Sequence, residues 1–83
     1  MTRQEAAEKI IVSTDQQIMP RYAVVPREEC RGTGSWNDAP YQLAEFSESA
    51  GGYIGFWGLP SEVSLLDALL DYDDVVELAE TLA

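Results

Sequence analysis

The stretch SEVSLLDALLDYDDVVELAETLA, residues 61–83, decides how this chain is organised. It contains no basic residue and seven carboxylates, Glu62, Asp67, Asp71, Asp73, Asp74, Glu77 and Glu80. At helical period, Leu65, Leu69, Tyr72, Val76 and Ala79 form one apolar seam, widened by Leu66, Val75, Leu78 and Leu82. Asp67, Asp71 and Asp74 fall on the other side, with Asp73, Glu77 and Glu80 beside them. One wall therefore packs a core while the opposite wall presents negative charge. Ser61 or Ser64 caps its start, and Ser64-Leu65-Leu66-Asp67 has capping-box spacing. The seam stays in phase through Tyr72, which favours one continuous helix. Asp74-Val75-Val76-Glu77 is a second capping signal that would divide it near Asp71–Asp74.

The rest of the chain must supply what this wall packs against. Thr2-Arg3-Gln4-Glu5 is a capping box, and Ala6, Ala7, Ile10 and Ile11 give an amphipathic helix over about 3–12. Thr14 continues the phase, and Pro20 stops any helix beyond Met19. Arg21–Val25 is β-branched and aromatic, bracketed by prolines, as suits an edge strand. Tyr41–Ser47 and Gly52–Gly58 read as a hairpin. A three-residue turn, Ser49-Ala50-Gly51, would place Gly51 where φ is positive. That register puts Phe46 opposite Ile54 and Ala44 opposite Phe56 on a core face. The other face then carries Tyr41, Leu43, Glu45, Tyr53, Gly55 and Trp57. Either it is covered by the N-terminal helix or the long loop, or it is an aromatic binding surface around Glu45. A one-residue slip would exchange the two sets. The expected architecture is α+β: residues 1–83 as one small domain, with a three-stranded antiparallel sheet between an N-terminal helix and an acidic C-terminal helix, in the order α-β-β-β-α.

Composition limits the function classes. A chain of 83 residues makes one domain that buries roughly 60–65% of its unfolded surface. The formal net charge is −10. Residues 1–31 hold all five bases and five acids, while residues 32–83 hold ten acids and no base. Such an excess keeps a small protein soluble, or it meets a basic surface. It opposes direct binding to nucleic acid or an anionic membrane. The single cysteine, Cys30, allows no internal disulfide and fits a reducing compartment. The start MTRQEAAEKI shows no signal-peptide pattern, and no apolar run approaches membrane-spanning length. The expectation is a cytoplasmic protein.

Enzymatic equipment is sparse. Without histidine there is no Ser-His or Cys-His pair and no histidine metal ligand. Gly32-Thr33-Gly34 lacks the third glycine or the Gly-Lys ending of a phosphate loop. Asp71, Asp73, Asp74 and Glu77 lack calcium-loop spacing. Glu45 alone among the acids sits among aromatics, too little for paired acid–base catalysis. Trp36, in the loop 27–39, is expected to pin that loop to the core. The reading is a non-enzyme with no cofactor and no metal.

In size, acidity and lack of catalytic equipment, the chain resembles the small phage-encoded inhibitors of bacterial defence, the anti-CRISPR and anti-restriction proteins. That resemblance covers the whole chain in composition and rests on no motif. It implies carboxylates that imitate phosphates in the basic groove of a CRISPR effector or restriction enzyme, and a host-cell cytoplasmic location. The partner-binding residues would be Asp67, Asp71, Asp73, Asp74, Glu77 and Glu80. The alternative is an acidic accessory or cognate partner, such as an antitoxin, an immunity protein or an assembly subunit. It would bind through Glu45, Tyr53 and Trp57.

Overall fold

Thr2 and Glu5 begin the first helix as the capping box requires. The Glu5 amide donates to the Thr2 hydroxyl at 3.1 Å, and the Thr2 amide donates to the Glu5 carboxylate at 2.9 Å. The computed structural model describes residues 1–15, 18–34 and 37–82. Helix α1 runs Arg3–Asp15, three residues further than the apolar pattern alone suggests, because Thr14 is also buried one turn beyond Ile10. The expectation for Trp36 falls outside the described residues.

Strands β1 (Tyr22–Pro26), β2 (Tyr41–Ser47) and β3 (Gly52–Leu59) form an antiparallel sheet in that order. Pro26 is tolerated because β1 is an edge strand. Helices α2 (Leu65–Asp71) and α3 (Val75–Glu80) complete the chain. The architecture is therefore α+β, with three antiparallel strands and helices at both ends.

The C-terminal stretch is two helices rather than one continuous helix. Tyr72 turns to extended backbone, φ −71° and ψ 124°, and its amide still bonds back to Ala68 and Leu69. Arg3 stabilises the break. Its guanidinium donates to the Leu70 carbonyl at 2.6 and 3.1 Å and to the Tyr72 carbonyl at 2.8 Å. These bonds satisfy carbonyls that a helix end leaves free. Ser64 caps the start of α2 by accepting the Asp67 amide at 3.1 Å.

All three helices pack together on one side of the sheet, α1 against α2 and α3, and α2 against β1 and β2. Ala6, Ala7, Ala68 and Ala79 are fully buried, so the helices approach closely. Ile10, Tyr22, Leu43, Leu59, Leu69 and Val75 fill the remaining core.

The hairpin register differs from the sequence expectation by one residue near the turn. Ser47 pairs with Gly52, Phe46 with Tyr53, Glu45 with Ile54 and Ala44 with Gly55. The turn is four residues long because the Ser47 side chain organises it. Its hydroxyl accepts the Ala50 amide at 3.3 Å and meets the Ser49 hydroxyl at 3.1 Å. Gly51 takes the positive φ, 73°. A bulge at Phe56 absorbs the slip, so Leu43 and Trp57 still face each other.

The second face of the sheet is covered by the chain itself. After a 3-10 turn at Arg27–Glu29, Arg31 and Gly32 run beside β3. The Arg31 amide donates to Tyr53 at 2.8 Å, and the Gly55 amide donates to Gly32 at 2.9 Å. The returning chain buries Asn37 against Gln42 in a reciprocal amide pair of 2.6 and 2.9 Å. Gly55 makes room for this, since a Cβ there would stand 2.8 Å from the Gln42 side chain. Cys30 lies on the same path, its thiol donating to the Pro26 carbonyl at 3.7 Å. Burial pushes that thiol above its ordinary pKa and keeps it protonated.

Candidate functional site: an acidic helical face and an adjoining aromatic cleft

Asp67, Asp71, Asp73, Asp74, Glu77 and Glu80 are all exposed, as their positions opposite the seam require. The break at Tyr72 distributes them over three segments. Asp67 and Asp71 stand on α2, Asp73 and Asp74 on the link, and Glu77 and Glu80 on α3. They do not form a single straight row. Among the described residues the one ion pair is Arg21–Glu45, on the sheet, and none involves these six carboxylates. Arg3 approaches the face but spends its donors on backbone carbonyls.

Asp71 differs from its neighbours. Its Oδ2 accepts the Trp57 indole N–H at 2.9 Å, which ties the end of α2 to β3. Tyr72, the next residue, packs edge-on against Trp57, with ring centroids 5.3 Å apart, and against Phe56 at 5.1 Å. Burial raises the Tyr72 phenol pKa, and the carboxylates of Asp74, Glu77 and Asp73 raise it further.

The predicted aromatic surface does not assemble as one face. Trp57 lies with Leu43 on the helix side, whereas Tyr53 and Gly55 lie on the loop side with Gln42. The four-residue turn and the Phe56 bulge cause this split. Tyr53 packs edge-on against Phe46 at 5.5 Å, and its hydroxyl donates to the Pro20 carbonyl at 2.7 Å. The backbone at Gly55 is shielded by Gln42.

Glu45 does sit among aromatics, but they are others than the sequence reading named. It lines a cleft of about 420 Å³ between the sheet and α3, together with Tyr22, Phe46, Phe56, Tyr72 and Leu78. Its Oε2 accepts from Arg21 Nε at 2.9 Å and faces the Tyr22 hydroxyl at 3.4 Å. The Arg21 guanidinium carbon also lies 5.5 Å from the Tyr22 ring centroid, within cation–π range. Burial raises the Tyr22 phenol pKa, and the Glu45 carboxylate adds to the effect.

No known family model, characterised protein or solved structure matches the chain.

The acidic face was readable because charge and helical period are local properties. The cleft was not, since Tyr22, Glu45 and Phe56 come from three different strands and Tyr72 from the link between α2 and α3. One signal did point to it. The adjacent apolar pair Phe56-Trp57 breaks the alternation of β3, as a bulge that sends two side chains to one side would require.

Proposed function

We propose that this chain is a non-enzymatic protein-binding inhibitor. It docks its acidic face on a basic surface, as nucleic acid would in the groove of a CRISPR effector or restriction enzyme. One observation carries this reading. Six exposed carboxylates, from Asp67 to Glu80, stand on α2, α3 and the link with no cation paired to them among the described residues. A groove that focuses negative charge attracts such a surface over long range and gains more from it than bulk solvent does. The specific partner class follows from the compositional resemblance.

Glu45, Tyr53 and Trp57 give the cognate-partner alternative little support as a shared aromatic face, because Tyr53 and Trp57 point to opposite sides of the sheet.

The test is charge reversal of Asp67, Asp74 and Glu77 to Lys, with Asp71 kept for its bond to Trp57. Exposed substitutions of this kind usually change stability by about 0.5 kcal/mol or less. The variant is expected to fold, and to lose inhibition in a cleavage assay run across guide-loaded effectors and restriction enzymes. Wild-type binding should weaken steeply with added salt. A folded triple variant with undiminished inhibition refutes the reading.

A further inference from the structure

We infer that the cleft between the sheet and α3 receives an arginine side chain of the basic partner. This rests on the proposed docking of the acidic face and names its anchor. The cleft is within the size range of ligand pockets, about 300–1,000 Å³. Among its lining residues are the half-buried aromatics Phe56 and Tyr72, and its one charged lining residue is Glu45. A separate shallow groove that shares Tyr72 and Leu78 with it is edged by Asp74 and Glu77. Carboxylates therefore stand beside the cleft, aromatics line it, and a carboxylate stands at the sheet. That combination selects a cation with an apolar, planar body. Guanidinium fits it better than ammonium, because it is more weakly hydrated and stacks on rings.

The molecule already recognises one guanidinium with the same residues. Arg21 pairs with Glu45 and lies against Tyr22, but it does so from a neighbouring groove shared with Ile18, Met19 and Glu48. It does not line the cleft. Among the described residues, both contacts to the Glu45 carboxylate fall on Oε2. An incoming guanidinium would meet the other oxygen from the cleft side, with Arg21 as its intramolecular competitor.

The experiment is an NMR titration of the labelled full chain with the peptide acetyl-Gly-Arg-Gly-Arg-Gly-amide. Matched peptides carry lysine or citrulline, the neutral isostere of arginine. The arginine peptide is expected to shift the ring signals of Phe56, Tyr72 and Tyr22. The lysine peptide should bind about threefold more weakly and citrulline about tenfold, the scale of one partly exposed cation–π and charge contact. Glu45→Gln should weaken binding about fivefold. Arg21→Gln should tighten it about threefold, whereas Lys9→Gln, with the same change in net charge, should not. The last pair decides the matter even if Glu45→Gln fails to fold.

The inference is overturned by an absence of binding, by equal binding of arginine and citrulline, or by equal effects of Arg21→Gln and Lys9→Gln. Shifts confined to the exposed positions of α2 and α3 also overturn it, yet leave the acidic face as the docking surface. Failure of that larger reading shows instead in the cleavage assay with the triple charge reversal.

Discussion

Trp57 donates its indole N–H to Asp71 at 2.9 Å, so a strand residue holds a carboxylate at the end of α2. A negative charge there opposes the helix dipole, and the indole compensates it. Trp57→Phe should cost about 1–2 kcal/mol, from the lost bond to a charged acceptor and some lost contact area. Asp71→Ala should cost less, because it also removes the unfavourable charge. In the Asp71→Ala background, Trp57→Phe should lose most of its effect. Urea unfolding of the four proteins measures this coupling directly.

Arg3 serves a helix other than its own. A cation in the first turn of α1 opposes that helix's dipole, but its guanidinium caps the carbonyls of Leu70 and Tyr72. Arg3→Ala should cost about 1 kcal/mol, which for a domain this small lowers Tm by about 4–8 °C. Arg3→Lys should recover only part, since a lysine lacks the fork that reaches both carbonyls. Thermal melts of the three proteins give the order.

Tyr72 makes the fold sensitive to alkali. Burial and the carboxylates of Asp74, Glu77 and Asp73 raise its phenol pKa above the unfolded value of about 10. The folded state therefore holds this proton more tightly than the unfolded chain. The stability this contributes is complete below pH about 10 and is lost as pH rises through the folded value. Tyr72→Phe should flatten the alkaline limb of a stability–pH profile. Tyr22, shifted in the same direction, should retain some slope.

Asn37 and Gln42 form a buried amide pair beneath the long loop. Asn37→Ala leaves the Gln42 amide short of partners and should cost about 1–3 kcal/mol. Replacing both together, as Asn37→Leu with Gln42→Met, should cost less than the single change, because neither buried side-chain amide is then stranded and only the partly buried Ala39 carbonyl loses a donor. Chemical denaturation of both variants tests the difference.

What was legible in the sequence was what neighbouring residues settle among themselves. The capping box of Thr2 and Glu5, the cap at Ser64, the glycine at position 51 and the limits of β2 all follow from local chemistry. The break at Tyr72 showed only as the second capping signal at Asp74–Glu77, outweighed because Leu65, Leu69, Tyr72, Val76 and Ala79 keep helical phase across it. The fork that stabilises the break comes from Arg3, distant in sequence. The register failed for a related reason, as the Ser47 hydroxyl favoured a turn one residue longer than glycine placement suggested. The bulge that absorbs this slip separated Tyr53 from Trp57, while the pairing of β1 with β2 set Tyr22 opposite Glu45. The candidate cleft is thus a product of topology, while the acidic face is a product of composition.

The bridge between Gly32 and Ile54 has a consequence for the order of folding events. The segment Arg31–Gly32 precedes the hairpin in the chain, yet it pairs with β3, which is made after it. It has no surface to dock on until β2 and β3 have paired. Docking of this segment is therefore expected to be a late step, outside the folding transition state. Contacts made there, Arg31 with Tyr53 and Gly32 with Gly55, would act as a latch. Weakening them should speed unfolding and leave the rate of folding almost untouched, which stopped-flow refolding and unfolding would measure.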